Sequence, residues 1–287
     1  MQFKNNIREL ADLYDYFIFD VWGVIHDGSS AYAGVADAIK FLRSKNKKIC
    51  FLSNAPRRAF KVGAVLQKYD ISNYLYDFIL TSGEAAYFDF EKNQKNNFAD
   101  FGRNYFYIGP QKDVDLLDGL NYQMVEDASQ ANIAITTGFD KDNSTLEEKM
   151  AQILAAKKFN LPLICVNPDL IVVKQNGAEL LCAGAIAAEY KKLGGEVSYY
   201  GKPYQSVYKI VCEMFGCDSR QKIIAIGDGM ETDIKGANDF GIDSVLITGG
   251  ILSNILGVKY GETADKNKLE TVCKNYQLFP KFVIPGL

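Results

Sequence analysis

One histidine and one tryptophan stand in 287 residues, and no two of the six cysteines form a C-x-x-C pair. His26 and the scattered Cys50, Cys165, Cys182, Cys212, Cys217 and Cys273 cannot complete a zinc set of the usual spacing. The pattern reads as reduced, buried thiols of a cytoplasmic protein rather than as a disulfide framework. Positive charge is not in excess either, since Lys+Arg 32 against Asp+Glu 35 leaves a net charge of −3. That excludes a general attraction for nucleic acid or an anionic membrane, so any anion has to be captured by local geometry. The basic runs Arg43 to Lys48 and Lys92 to Lys95 are short and read as solvated surface. No apolar run approaches the roughly 20 residues of a membrane span. The opening MQFKNNIRELADLYDYFIFD is broken by charges where a signal peptide needs a continuous apolar stretch. Repeats and low-complexity tracts are absent as well.

What is present is an ordinary globular composition, 48% hydrophobic and 23% charged, in a chain long enough for one large domain or two moderate ones, with two favoured. Asp15 to Asp20 (DYFIFD) is a short apolar run ending in a carboxylate and followed by glycines, the mark of a buried strand entering a turn. Helical spacing of Val35, Ile39 and Leu42 follows, then a second apolar run ending at Ser53 and Asn54. Strand, helix, strand predicts a parallel crossover. The same grammar returns late in the chain as VSYYGKP, a helical SVYKIVCEMFG, KIIAIGDG, a helical TDIKGANDFG and DSVLITGG. The expectation is an α/β fold with a doubly wound parallel sheet, and with Asp20, Ser53, Lys202 and Asp228 converging at the carboxyl ends of its strands. The last thirty or so residues, from Gly257, predict a final helix and a tail packed on this core.

Between the halves lies a stretch with its own strand-like runs (NYFYIG, ANIAITTG, LPLICVN) and a helix. For that helix Ser144 and Glu147 suggest a capping box, Leu146, Met150, Ile153 and Leu154 an apolar face, and Asn160 before Pro162 a stop. We expect an inserted α/β domain over residues 84–179, with a core domain built from 1–83 and 180–287.

Four motifs in order, FDVWGVIHDG, FLSNAPR, YGKP and IGDGMETD, resemble the haloacid dehalogenase superfamily, and the long insertion between the second and third resembles its class IIA, NagD-like branch. The resemblance spans nearly the whole chain. It implies a Rossmann-like core, an α/β cap, a magnesium ion and hydrolysis of a small phosphorylated metabolite such as a sugar phosphate or nucleotide. Asp20 matches the nucleophile, which forms an aspartyl-phosphate. Asp228 matches the acidic metal ligand, joined by Asp20 and the backbone carbonyl of Trp22. Asp233 is expected to orient Lys202 or a metal-bound water. Ser53, with the N–H groups around Asn54, would donate to a phosphoryl oxygen, and Lys202 would face both phosphate and Asp20. Asn167-Pro168-Asp169 resembles the hinge of class IIA caps, and Gly184-Ala185-Ile186 the return to the core. Taken singly, Asp20 reads as a turn residue, Ser53-Asn54 as a helix cap, Gly-Lys-Pro as a surface turn and Asp233 as a complement to a helix dipole.

One residue departs from the pattern. Most phosphatases of this superfamily carry a second aspartate two residues after the nucleophile, which protonates the leaving alcohol; here that position is Trp22, whose indole neither gives nor takes that proton usefully. Three routes around the gap stay open: His26 or Asp27 substitutes, the substrate supplies its own acid, or the leaving group needs no proton. A neighbouring carboxylate would raise the pKa of His26 into a useful range, although a plain turn histidine is the commoner case. Two functions follow: a phosphatase working through Asp20, or a catalytically impaired protein of the same fold that binds or senses a phosphorylated ligand. A signalling receiver built on Asp20 is disfavoured, because so large an insertion encloses a site rather than opening it to a partner. A homodimer is compatible with the sequence, which does not fix the oligomeric state.

Overall fold

In the computed structural model, described for residues 1–95, 102–174, 178–217 and 219–287, the chain builds two parallel sheets and a small antiparallel arm. The first sheet contains β1 (Gln2–Phe3), β2 (Tyr16–Phe19), β3 (Lys48–Ser53) and β4 (Phe78–Thr81). The second begins with β5 (Asn104–Ile108), β6 (Gln123–Val125), β7 (Ile133–Thr136) and β8 (Leu163–Cys165). The arm is β9 (Ile171–Val173) paired antiparallel with β10 (Glu179–Leu181). Then come β11 (Val197–Tyr199), β12 (Ile223–Gly227), β13 (Asp243–Ile247) and β14 (Phe282–Ile284).

The first sheet is seven-stranded, in the order β1-β14-β13-β12-β2-β3-β4. Side chains alternate across it as a strand's period of two requires: Phe17 and Phe19 enter one core, Ile18 the other. On the Phe17 face lie α1 (Val35–Ser44) and α2 (Ala59–Lys68), through Val35, Ile39, Leu42, Val62 and Leu66. A third helix, α3 (Ser82–Lys95), leaves β4 and is shared, with Ala85 against the first sheet and Ala86 and Phe90 against the second.

The second sheet is five-stranded, order β11-β8-β7-β5-β6, all neighbours parallel. One face is covered by α4 (Glu147–Lys158) and α5 (Ala183–Lys192), through Ile153, Ala156, Ile186, Ala187 and Tyr190. Returning to the first sheet, α6 (Gln205–Phe215) and α7 (Lys235–Phe240) cover the Ile18 face with Val207, Tyr208, Val211, Ala237 and Phe240. The chain ends through α8 (Ser253–Leu256), α9 (Lys266–Tyr276) and β14, so the expected final helix is there and the tail adds a strand to the sheet.

Three expectations are corrected. VSYYGKP is not a strand of the first sheet: β11 pairs with β8, so the second unit runs on to about residue 199 instead of ending at 179, and Gly184-Ala185-Ile186 lies inside α5. The reason is packing, since α5 lays its small apolar face on the second sheet and delivers the chain to that sheet's edge. The capping box does not form, because Ser144 Oγ accepts from the Lys141 amide at 3.3 Å. Leu154 is solvent-facing, 51% exposed, while Ile153 takes the buried position. No helix among the described residues is long and apolar enough to cross a membrane.

Candidate active site

The chain winds outward from β2 through β3 to β4, leaves for the second unit, and comes back at β12 on the other side of β2. The β2/β12 boundary is therefore the topological switch point, where the strands' carboxyl ends open a crevice. Asp20 follows β2 there, its amide donating to Ile226 O at 2.8 Å, and Asp228 follows β12. Ser53 ends the next strand, β3. Lys202 arrives from elsewhere, beyond β11 of the second sheet, and is buried.

Its ammonium donates to Asp20 Oδ1 and, at 2.7 Å, to Asp233 Oδ1. Asp233, in the turn Met230–Ile234 that leads into α7, is held from behind by the Gly229 amide, 3.1 Å from Oδ2. Asp228 Oδ2 accepts from the Ile251 amide at 2.6 Å. Backbone closes around these carboxylates: a Cβ on Gly23, which sits at φ +84°, would lie 2.0 Å from Asp228 Oδ2, so the turn after Asp20 requires glycine.

Carboxylate oxygens of Asp20, Asp228 and Asp233 all lie within 4.8 Å of one another, and all three residues are buried. Three carboxylates against one ammonium leave a surplus of two negative charges when fully ionised. Burial, and then the neighbouring carboxylates, drive Asp20 well above the usual carboxylate range even though Lys202 opposes them. Asp228 is pushed up to about 7 by burial and by Asp233, against the Ile251 hydrogen bond. Such a cluster of hard oxygen donors, short of positive charge, fits a divalent cation of the magnesium type.

Asn54 ties the two units together. Its Nδ2 donates to Asp169 Oδ1 at 2.8 Å and to Lys202 O at 3.1 Å, while its Oδ1 accepts from the Lys202 amide at 2.7 Å. Burial lifts Asp169 to about 6, with Asn54 and Lys202 opposing. Asn167 holds that turn through Oδ1 and the Asp169 amide at 3.0 Å, and Ser53 Oγ accepts from the Ala55 amide at 3.2 Å. A cavity of about 470 Å³ brings together Asp20, Trp22, Ser53, Asn54, Lys202, Asp228 and Asp233 from below with Asn167, Asp169 and the arm from above.

His26 lines the same cavity, beside Trp22. His26 Nδ1 accepts from the Gly28 amide at 2.8 Å and its ring lies edge-on to Trp22 and tilted against Tyr69, so burial lowers its pKa to about 4 and outweighs the raising effect of Asp27. Asp27 Oδ1 is taken up by the amides of Ser29 and Ser30 at 2.9 and 2.8 Å; burial pushes its pKa up, but these bonds win and hold it below the usual range. Trp22 itself donates from Nε1 to Val173 O of the arm at 2.9 Å. Two further contacts between the units have no motif behind them: Arg57 with Asp113, Nε to Oδ1 at 3.3 Å, and Lys61 with Asp115 at 2.6 Å. Opposite charges at scattered positions carry no signal in a single sequence.

Fold and site together define a Rossmann-like protein with a carboxylate centre at its switch point and a second α/β unit above it. Residues 17–123 match the family model of haloacid dehalogenase-like hydrolases, and residues 199–273 match a second, HAD-hydrolase-like model. A solved haloacid dehalogenase-like hydrolase from Brucella suis 1330 is 31% identical, covers 99% of both chains and superposes with a TM-score of 0.80. Among characterised relatives, the sugar-phosphatase AraL of Bacillus subtilis is 26% identical over 81% of this chain and 82% of its own length. Phosphoglycolate phosphatase 1A of Arabidopsis thaliana is 24% identical over 86% of this chain and 72% of its own. The chain belongs to the haloacid dehalogenase-like hydrolases, and its inserted parallel-sheet unit is the arrangement that the class IIA resemblance implied.

Proposed function

We propose that the protein is a magnesium-dependent phosphatase of a small phosphorylated metabolite, sugar phosphate or nucleotide, acting through Asp20 in the cytoplasm. The observation that carries this reading is the buried Asp20, Asp228, Asp233 and Lys202 constellation at the switch point. Phosphatases among the relatives support it.

In this reading Asp20 attacks phosphorus in line, the bond from phosphorus to the ester oxygen breaks, and the alcohol leaves as its anion. Water then attacks the aspartyl-phosphate and releases inorganic phosphate. Lys202 lies against Asp20 and is held by Asp233, so its charge faces the phosphoryl oxygens without having to reorganise. Asp20, Asp228 and the Trp22 carbonyl would hold the magnesium ion, which when bound neutralises phosphoryl charge. Ser53 and the amides near Asn54 lie at the floor of the same cavity, where they would donate to the phosphoryl group.

Trp22 and Asp27 are engaged elsewhere and burial keeps His26 neutral, so no side chain of the Asp20 turn is poised to protonate the leaving group. General acid and base catalysis typically contributes about a hundredfold to ten-thousandfold. The reading therefore favours substrates whose leaving group is stable as an anion or carries its own acid. Trapping with a phosphorylated substrate in acid, followed by peptide mass analysis, should place a phosphoryl group on Asp20. A protein that only binds phosphorylated ligands would carry none.

A further inference from the structure

The indole two residues after Asp20 is built in, not merely tolerated. Gly28, at φ +89°, is the floor under its ring; a Cβ there would lie 2.3 Å from Trp22 Cη2. The Trp22 ring meets the His26 ring edge-on, with centroids 5.6 Å apart, and His26 is backed by Tyr69 at 5.2 Å and pinned by the Gly28 amide. Everything on this side belongs to the first-sheet unit. On the other side the indole N–H reaches Val173 O, 2.9 Å away in β9.

The arm that receives this hydrogen bond joins neither large sheet. A lone two-stranded hairpin is marginal in water, so its position depends on what it rests against. Ile171, Val172, Val173, Leu180 and Leu181 form one wall of the cavity that has Asp20 at its floor. We propose that Trp22 is a positioning residue that latches the β9–β10 arm over the Asp20 site, an aromatic strut standing where a proton donor would otherwise be. The latch concerns closure of the site; only its effect on turnover rests on the phosphatase reading.

Because Trp22 is the only tryptophan in the chain, a tryptophan auxotroph fed β-(benzothiophen-3-yl)alanine replaces that N–H with sulfur at this one position. Hydrogen exchange is then compared between native and substituted full-length protein, with Trp22→Phe as a second variant and thermal melting as the check on folding. Loss of one hydrogen bond should speed amide exchange in 171–173 and 179–181 by about three- to tenfold, with first-sheet strands unchanged. With p-nitrophenyl phosphate, kcat/KM should fall by a similar factor, mainly through KM. Unchanged exchange in the arm overturns the latch, whatever happens to the kinetics. Faster exchange in a protein that hydrolyses no phosphomonoester upholds the latch and removes the phosphatase reading instead.

Discussion

Asp20 and Lys202 lie 182 residues apart and follow strands of different sheets, yet the Lys202 ammonium donates directly to the Asp20 carboxylate. The cation comes from the segment that carries the chain back from the second sheet to the first, and Asn54 holds the backbone of that segment on both sides of Lys202.

Lys202→Met removes the positive charge that, among the described residues, is paired with the buried Asp20 and Asp233 carboxylates. Breaking a buried pair on one side costs about 3–5 kcal/mol, so the metal-free variant should melt well below wild type. Without the lysine, Asp20 and Asp228 rise further above their already raised values. Ionisation of a carboxylate raised in the folded state destabilises that state, so the difference in melting temperature should widen as pH rises from about 6 to about 9, through the wild-type Asp228 value of about 7. Melting curves in chelator across that range check this, and turnover should fall by at least about a hundredfold.

Magnesium should stabilise the native protein, by about 2.7 kcal/mol at a hundred times its dissociation constant. Asp228→Asn keeps an oxygen for the Ile251 amide but loses the charge. In that variant the magnesium-induced rise in melting temperature should largely disappear, while the chelator-treated protein melts at or above wild type.

Asp169, on the opposite side of the same cavity, offers a second pH test. Its pKa moves from 3.8 to about 6 on folding because of burial, so ionisation opposes the folded state. Asp169→Asn preserves an acceptor for Asn54 and cannot ionise. Stability of the variant relative to wild type should be constant below about pH 4, grow as pH rises to about 6, and stay flat above that. Denaturant midpoints in chelator measure it.

Trp22→Asp would remove the contact with Val173 and introduce a carboxyl group at the proton-donor position. The two effects differ in size: about three- to tenfold for the lost hydrogen bond, about a hundredfold or more for a working general acid. The substitution should lower kcat/KM for p-nitrophenyl phosphate, whose anion leaves unaided, and raise it for alkyl phosphates. Parallel kinetics on both substrate types check the split.

Much of the first sheet was legible because its strands are apolar runs with polar residues at their carboxyl ends, and Asp20, Ser53 and Asp228 sit where that pattern put them. Lys202 was legible as a residue but not by its sheet, since a short apolar strand such as VSYY carries no mark of the neighbour it will pair with. The contact from Trp22 to Val173 had no signature at all, because its acceptor is a backbone carbonyl, which every residue possesses. The ionisation of His26 was hidden for a related reason. A sequence places Asp27 beside it but does not reveal the burial that dominates its ionisation.

The reaction proposed for this site depends on Asp20 being a nucleophile toward phosphorus. Its most direct test is hydrolysis of p-nitrophenyl phosphate and acetyl phosphate, beside sugar phosphates and nucleotides, with magnesium or chelator, for wild type and Asp20→Asn. Wild type should show magnesium-dependent turnover, fastest with the good leaving groups, and Asp20→Asn should show none. Equal turnover by the two proteins, or none by wild type on any of these substrates, would contradict it.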